Sequence, residues 1–153
     1  MPKITVANEP EPGTPRRQLS GLLTVDTDGR SFIDLTSALF GWLRREKAGD
    51  GLLTVFVRHT SASLAIQENA DPDVRTDLLE ALDRLAPEDA PYRHADEGPD
   101  DMPAHVKAVL TGASLSVPVS AGVPVLGMWQ ALYLVEHRRN PHRREIRLHY
   151  LGT

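Results

Sequence analysis

Three histidines lie among polar residues of the kind that bind metal ions. His59 follows an apolar run, His94 lies in a long acidic loop, and His105 lies near the start of a predicted short helix. Neutral imidazole is a good ligand for Zn²⁺ and similar ions, and three histidines leave a coordination position open for water or substrate. Asp100 and Asp101 suit either direct ligation or orientation of the histidines. The pattern raises the hypothesis of a metal site, although six histidines in a chain of this size more often serve the surface or the core.

Hydroxyl side chains surround the first of these histidines. Thr60, Ser61 and Ser63 suit the binding of phosphate oxygens, or the role of a nucleophile beside His59. Hydroxyls at the end of a strand more often satisfy nearby backbone groups, and no GxSxG elbow supports serine hydrolysis. Glu68, a little further on, is a candidate general acid or base, or a residue that caps the next helix.

Two further groups are candidates for substrate binding. Gln130 lies in a predicted apolar strand, where a buried amide needs a partner, and Gly127 in the same run indicates a bulge or the close approach of a ligand. The last predicted hairpin carries four arginines, whose guanidinium groups clamp phosphate in a bidentate manner. A solvated basic turn is the commoner explanation for such a group. The four are Arg138, Arg139, Arg143 and Arg144.

Composition limits the function classes. The chain has 153 residues, a net charge of −4 and no cysteine. The length predicts one domain, and it is too short for an eight-fold βα barrel of roughly 200 residues or more. The acidic balance argues against a nucleic-acid partner, and without cysteine there is no disulfide or thiolate metal site. No apolar run approaches the ~20 residues of a membrane span, so we expect a cytoplasmic protein with no membrane partner.

The elements that must position these residues follow from periodicity and turn residues. Residues 1–15 are rich in proline and are predicted to be a flexible leader, followed by one domain over 16–153. Asp28-Gly29 is a hairpin turn signal, and Asp71 with Pro72 begins a helix. This order of elements predicts an α+β fold, a single compact domain of mainly antiparallel β-sheets packed with two or three helices. Strands are predicted at 16–27, 31–33, 53–57, 114–119, 125–137 and 144–151, and helices at 36–47, 72–85 and 103–110.

Separated motifs in this order resemble the YjbQ family, also called UPF0047. The likeness covers about residues 16–151, nearly the whole chain. Asp101 stands where that family often has asparagine, and Met128 stands where it usually has threonine, which leaves the preferred substrate open. The motifs are His59-Thr60-Ser61-Ala62, Glu68-Asn69-Ala70-Asp71-Pro72, His94 with Asp100-Asp101-Met102-Pro103-Ala104-His105, Gly127-Met128-Trp129-Gln130, and the hairpin of residues 136–144.

The resemblance implies a homotrimer with sites near the subunit boundaries. It also implies a secondary thiamine-phosphate synthase, which joins a pyrimidine diphosphate to a thiazole phosphate and releases pyrophosphate. The alternatives are a metal-dependent hydrolase of a phosphorylated small molecule and a non-enzymatic trimeric module that binds an anion or metal. A divalent ion, Zn²⁺ or Mg²⁺, is the expected cofactor. The expected site residues are His59, Glu68 and Asp101 for catalysis, Ser61, Gln130 and Arg144 for substrate, and His59, His94 and His105 for the metal.

Overall fold

Two antiparallel sheets and three helices form residues 16–153, the part of the chain that the computed structural model describes. The predicted leader, residues 1–15, lies outside the described residues. The α+β prediction is confirmed. The elements are β1 (Arg17–Thr27), β2 (Ser31–Asp34), α1 (Thr36–Arg45), β3 (Gly51–Val57), β4 (Ala62–Glu68), α2 (Pro72–Leu85), α3 (Asp101–Thr111), β5 (Ser114–Ser120), β6 (Val123–Pro124), β7 (Gln130–Glu136) and β8 (His142–Gly152).

The core lies on one face of the five-stranded sheet, whose strand order is β1-β8-β3-β5-β6. Side chains alternate between the two faces of a strand, so Leu53, Val55 and Val57 of β3 all point inward and are buried. The register places Leu53 beside Tyr150 and Val117, which continue the same apolar layer across three strands. The three-stranded sheet, in the order β2-β7-β4, adds buried residues of its own to this core.

No element of residues 16–153 covers the opposite face of the five-stranded sheet. Leu22, Leu52, Phe56 and Leu151 all point to this side, and they are 45–53% exposed. Leu52 and Leu151 are direct cross-strand neighbours, whereas Leu22 and Phe56 lie on either side of Arg147. The face therefore combines one apolar cross-strand pair with apolar residues that flank a charged one. We refer to this surface as the open sheet face.

The helix starts match the sequence signals in one case and differ in another. The Asp71 carboxylate accepts a hydrogen bond from the backbone N–H of Asp73, and Pro72 is the first residue of α2, as predicted. Helix α3 begins at Asp101, two residues before the predicted start at Pro103. The earlier start places Asp101 and His105 one turn apart on the same helix, so both side chains lie on one face.

Three strand predictions differ from the structure. The hairpin predicted at Asp28-Gly29 is wrong, because β1 and β2 pair in different sheets. Strand β4 was not predicted, because its serine-rich start resembles a loop in sequence. The strand predicted at 125–137 begins only at Gln130. A turn precedes it, in which the Gly127 N–H donates to Gln130 Oε1 and the Gln130 N–H donates to the Gly127 carbonyl. Among the described residues, no helix is long and apolar enough to cross a membrane.

Candidate metal centre

His94, Asp101 and His105 converge at the start of α3. The Asp101 Oδ2 atom lies 2.9 Å from His94 Nε2 and 3.2 Å from His105 Nε2, and the three candidate ligand atoms all lie within 4.8 Å of one another. Asp101 and His105 come from adjacent turns of α3, whereas His94 comes from the loop before it. Two imidazoles and a carboxylate are a common ligand set for divalent transition metals. We refer to these three residues as the metal cluster.

The second nitrogen of His105 fixes the orientation of its ring. Nδ1 lies 2.9 Å from the Thr60 carbonyl oxygen, just before β4. Histidine ligands in metal sites usually donate their other N–H to such a carbonyl. The Asp101 side chain is 3% exposed, while those of His94 and His105 are 45% and 30% exposed. The carboxylate therefore lies at the base of the cluster, and the two rings border solvent.

Arg138 binds the Asp101 carboxylate at Oδ1, the oxygen that does not contact the two histidines. Its Nη1 donates to Asp101 Oδ1, its Nε donates to Asp100 Oδ2 and its Nη2 donates to the Glu97 carbonyl. Burial raises the pKa of Asp100, but hydrogen bonds from the Arg139 backbone and the Arg138 guanidinium outweigh it and lower that pKa overall. Sequence reasoning missed this role, because four arginines in one hairpin resemble a solvated turn. Arg138 is in fact buried.

Ser61 and Arg144, the two residues predicted to bind substrate, lie together beside the buried Arg144–Glu136 ion pair. Arg144 Nε donates to Glu136 Oε2 at 2.7 Å, and Nη2 donates to Glu136 Oε1 at 2.6 Å and to Ser61 Oγ at 3.1 Å. Burial raises the pKa of Glu136, but the hydrogen bonds from Arg144, the Arg138 backbone and Thr27 hold it below its ordinary value. Glu136 is therefore an anion that fixes Arg144 in place.

His59 lies outside the metal cluster, although the sequence suggested it as the third metal ligand. Asp101 is the third residue of the cluster instead. The His59 Nε2 atom accepts a hydrogen bond of 2.9 Å from the backbone N–H of Glu145, so this nitrogen is already used. Burial and the nearby Arg144 charge lower the pKa of His59. The ring instead borders a cavity of about 590 Å³ that Ser61 and Arg144 also line.

Ser63 lies beside His137 rather than His59. Its hydroxyl lies 2.7 Å from His137 Nε2 and accepts a hydrogen bond of 2.5 Å from Thr111 Oγ1. Both Ser63 and His137 are buried, and burial lowers the pKa of His137 to about 4. Since neither side chain reaches solvent, this pair stabilises the packing of α3 on β4 and is not a nucleophile with its base.

Glu68 and Gln130 lie together at the far end of the three-stranded sheet. They are cross-strand partners in β4 and β7, and Glu68 is six residues along β4 from Ala62, which is about 20 Å in an extended strand. The Gln130 side chain accepts from the Gly127 backbone, and the Glu68 side chain makes no hydrogen bond with another described residue. A catalytic role for Glu68 and a substrate role for Gln130 remain predictions.

Comparison with known proteins gives one consistent family. The model of the family described as UPF0047 protein YjbQ-like matches residues 22–153. UPF0047 protein sll1880 of Synechocystis is 48% identical over 137 residues, which is 89% of this chain and 93% of that protein. UPF0047 protein YjbQ of Escherichia coli O157:H7 is 39% identical and covers 81% of this chain and 91% of its own length.

Solved structures agree with this result. The Aeropyrum pernix protein APE1520 has a TM-score of 0.80 at 33% identity, covering 88% of this chain and 99% of its own. The Thermus thermophilus protein TT1486 has a TM-score of 0.75 at 36% identity, covering 84% of this chain and 97% of its own. Sequence and fold therefore agree over nearly the whole described region, and the chain belongs to the UPF0047 family of YjbQ-like proteins.

Proposed function

We propose that this protein is a metal-dependent enzyme that acts on a small phosphorylated molecule, with His94, Asp101 and His105 as the ligands of a divalent ion. One observation carries the proposal: the Thr60 carbonyl lies at hydrogen-bond distance from His105 Nδ1. A carbonyl oxygen only accepts hydrogen bonds, so Nδ1 bears the proton. In the neutral ring, Nε2 then presents a lone pair.

That lone pair faces another acceptor. The His105 Nε2 atom lies 3.2 Å from Asp101 Oδ2, and a nitrogen lone pair and a carboxylate oxygen repel each other unless a cation lies between them. A second proton on the ring or a divalent metal ion satisfies this geometry. His94 Nε2 points to the same oxygen at 2.9 Å, so a single ion would bind both rings and the carboxylate. A site of this kind binds metal in competition with protons.

The donor set favours one class of ion. Imidazole nitrogens suit Zn²⁺ and neighbouring transition metals, whereas Mg²⁺ prefers oxygen ligands and retains several waters. Of the two ions expected from the sequence, Zn²⁺ is therefore the better candidate. Three protein ligands leave a position for substrate or water, and an ion held there polarises a phosphoryl oxygen.

Metal binding is tested directly with cobalt(II), which reports tetrahedral coordination through its visible absorbance. We expect one bound ion per chain in the chelator-treated protein, and loss of that binding in His105→Ala. His149→Ala is the matched control, because His149 lies on β8 and pairs with Gln18, away from the metal cluster. Equal cobalt binding by the two variants would refute the ligand assignment.

For the reaction we propose the thiamine-phosphate synthase transfer that the family resemblance implies. Departure of a diphosphate group requires positive charge near its oxygens, and an ion in the metal cluster would supply it. Purified protein is incubated with the pyrimidine diphosphate and the thiazole phosphate, with and without added Zn²⁺. We expect metal-dependent thiamine phosphate in the wild type and none in His105→Ala. Equal product in both proteins would contradict the proposal.

Hydrolysis of a phosphate ester is the second candidate, because the same ligands leave a position open where an ion would activate water. The serine side chains at this end of the fold do not favour a covalent route, since Ser63 is buried and the Ser61 hydroxyl accepts from Arg144. A screen of phosphate esters with added divalent ions separates hydrolysis from transfer. If His105→Ala changes no activity in either assay, the non-enzymatic binding module is favoured instead.

The open sheet face supports assembly as a homotrimer. Several half-exposed apolar residues on one uncovered sheet face are typical of an interaction surface, and here they are Leu22, Leu52, Phe56 and Leu151. A second copy of the chain is the partner that the family resemblance implies. The cytoplasm is the proposed compartment, because phosphorylated small molecules do not cross membranes freely and are held there.

A further inference from the structure

We propose that the cavity beside the metal cluster binds the phosphate group of the substrate through hydrogen bonds donated by His59, Thr60, Ser61 and Arg144. The cavity has a volume of about 590 Å³, and Phe56 and Ala113 form part of its apolar wall. The identity of the anion as a substrate phosphate rests on the proposed function. Binding of the anion itself does not require the metal and is measurable without it.

Arg144 is a buried residue with one N–H group, Nη1, that has no partner among residues 16–153. Its side chain is 3% exposed, and its hydrogen bonds to Glu136 and Ser61 use Nε and Nη2. Nη1 makes no hydrogen bond with any residue of 16–153. In this region every side-chain nitrogen or oxygen that is fully enclosed has a partner. Nη1 therefore keeps accessible surface, and the cavity that Arg144 lines is the space that it reaches.

His59 provides a second donor, whose position follows from its other nitrogen. Nε2 accepts from the Glu145 backbone N–H, so it is unprotonated and the neutral ring bears its proton on Nδ1. Burial and the Arg144 charge lower the pKa of His59, which keeps the ring neutral. Nδ1–H has no partner in the described region, so His59 acts as a fixed hydrogen-bond donor rather than as a metal ligand.

Two hydroxyls complete the set. Ser61 Oγ accepts from Arg144 Nη2, which leaves its own proton free to donate. The Thr60 hydroxyl makes no hydrogen bond within residues 16–153, while the Thr60 carbonyl lies 2.9 Å from the His105 ring. The same residue therefore borders the cavity and orients a metal ligand, so an anion bound in the cavity lies next to the metal cluster.

Within residues 16–153, no carboxylate lines this cavity. Glu145 pairs with Arg58 at 3.0 Å, and Glu136 is fully buried under Arg144. The polar part of the wall thus consists of groups that donate, which is the chemistry that phosphate oxygens require. Because both nearby arginines are paired with glutamates, we expect recognition by directed hydrogen bonds and a modest affinity for free phosphate.

The test uses two His59 variants, each of which retains the role of only one of the two ring nitrogens. In His59→Gln, the amide oxygen replaces Nε2 as the acceptor for Glu145, but the Nδ1 donor is lost. In His59→Asn, the amide N–H₂ replaces the Nδ1 donor and the backbone bond is lost. Inorganic phosphate is titrated into metal-free protein, and binding is followed by NMR of the amides of residues 59–61. We expect His59→Gln to weaken binding about tenfold, and His59→Asn to stay within about threefold of the wild type.

Thr60→Val is a further variant, and we expect it to keep the fold because it removes only a hydroxyl that makes no hydrogen bond within residues 16–153. We expect it to weaken phosphate binding severalfold. Equal binding by wild type and His59→Gln would overturn the proposal, as would equal weakening by both His59 variants. Binding of phosphate only after metal is added, with no effect of His59→Gln, would place the anion on the metal instead and would also overturn it.

Failure of this inference is distinguishable from failure of the proposed function. His59→Gln leaves all three metal ligands in place, so we expect its cobalt binding to equal that of the wild type. A protein that binds phosphate through His59 but binds no cobalt would refute the metal proposal alone. A protein that binds cobalt but no phosphate would refute the cavity assignment alone.

Discussion

At the scale of single residues, we expect loss of the Glu136–Arg144 ion pair to cause a large decrease in the free energy of unfolding. Both side chains are almost fully buried, and removing one member of a buried pair leaves an uncompensated charge, which costs about 3–5 kcal/mol. We predict that Glu136→Gln lowers the free energy of unfolding by this amount in urea denaturation. Glu145→Gln is the control, because its pair with Arg58 is about half exposed and should be worth less than about 1 kcal/mol. Similar losses in both variants would contradict the prediction.

His137 should make the fold sensitive to mild acid. Burial lowers its pKa from 6.5 to about 4, so between these values the unfolded chain takes up a proton that the folded chain does not. Stability should therefore fall as the pH drops from about 6.5 towards 4, by about 2–3 kcal/mol at pH 4.5. The lowered pKa of Glu136 affects stability in a lower pH range. The stability that it contributes is lost as the pH falls below the ordinary pKa of a glutamate.

The variant that isolates His137 is His137→Gln, whose side-chain amide can either donate to the Ser63 hydroxyl or accept from it, as Nε2 does. Urea denaturation of both proteins at pH 7 and pH 4.5 gives the difference. We expect the wild type to lose about 2–3 kcal/mol more than the variant over this interval. The same loss in both would assign the acid sensitivity to other groups.

Sequence reasoning identified most of the residues at the site but not their partners. His94, His105 and Asp101 were predicted because ligand-type residues are close together in the chain around the start of α3. His59 was placed in the same group, but its Nε2 pairs with a backbone N–H on β8, and no local pattern reports a contact across 86 residues. Arg138 was missed for the same reason, since its burial depends on carboxylates about 37 residues away.

At the scale of elements, two glycines should respond to alanine in opposite directions. Gly112 follows α3 with φ of 95° and ψ of 152°, a region that only glycine adopts readily, so Gly112→Ala should destabilise by about 1–3 kcal/mol. Nothing lies within 4 Å of an added Cβ there, so the cost is backbone strain alone. Gly41 lies inside α1 with room for a Cβ, and Gly41→Ala should stabilise by roughly 0.5–1 kcal/mol. Thermal unfolding measures both, and equal signs would contradict the argument.

Elements with strong local signals were predicted well, and those defined by tertiary contacts were not. Helix α2 has a capping aspartate, a proline at its first position and apolar residues at helical spacing, so its start and end were found. Strand β4 begins with small residues that are buried only because α3 and β7 pack around them. The start of β7 depends on the side-chain hydrogen bond from Gly127 to Gln130, which periodicity does not reveal.

At the scale of the whole molecule, both sheets contribute to one core, and the open sheet face has no counterpart within residues 16–153. The metal cluster and the cavity lie at one end of β4, while Glu68 and Gln130 lie about 20 Å away at the other. The residues that the sequence motifs suggested for one site therefore lie in two separate places within a single chain.

The open sheet face gives the last prediction. Leu52 and Leu151 are cross-strand neighbours on it, and a carboxylate placed in an apolar interface pays the cost of desolvation without a partner. We expect the wild-type protein to sediment as a trimer and Leu52→Glu to sediment as a monomer that keeps its secondary structure by circular dichroism. Leu85→Glu is the matched control, since Leu85 is 67% exposed at the end of α2, and it should remain trimeric. A monomeric wild type, or a Leu52→Glu variant that stays trimeric, would show that this face is not where the copies meet.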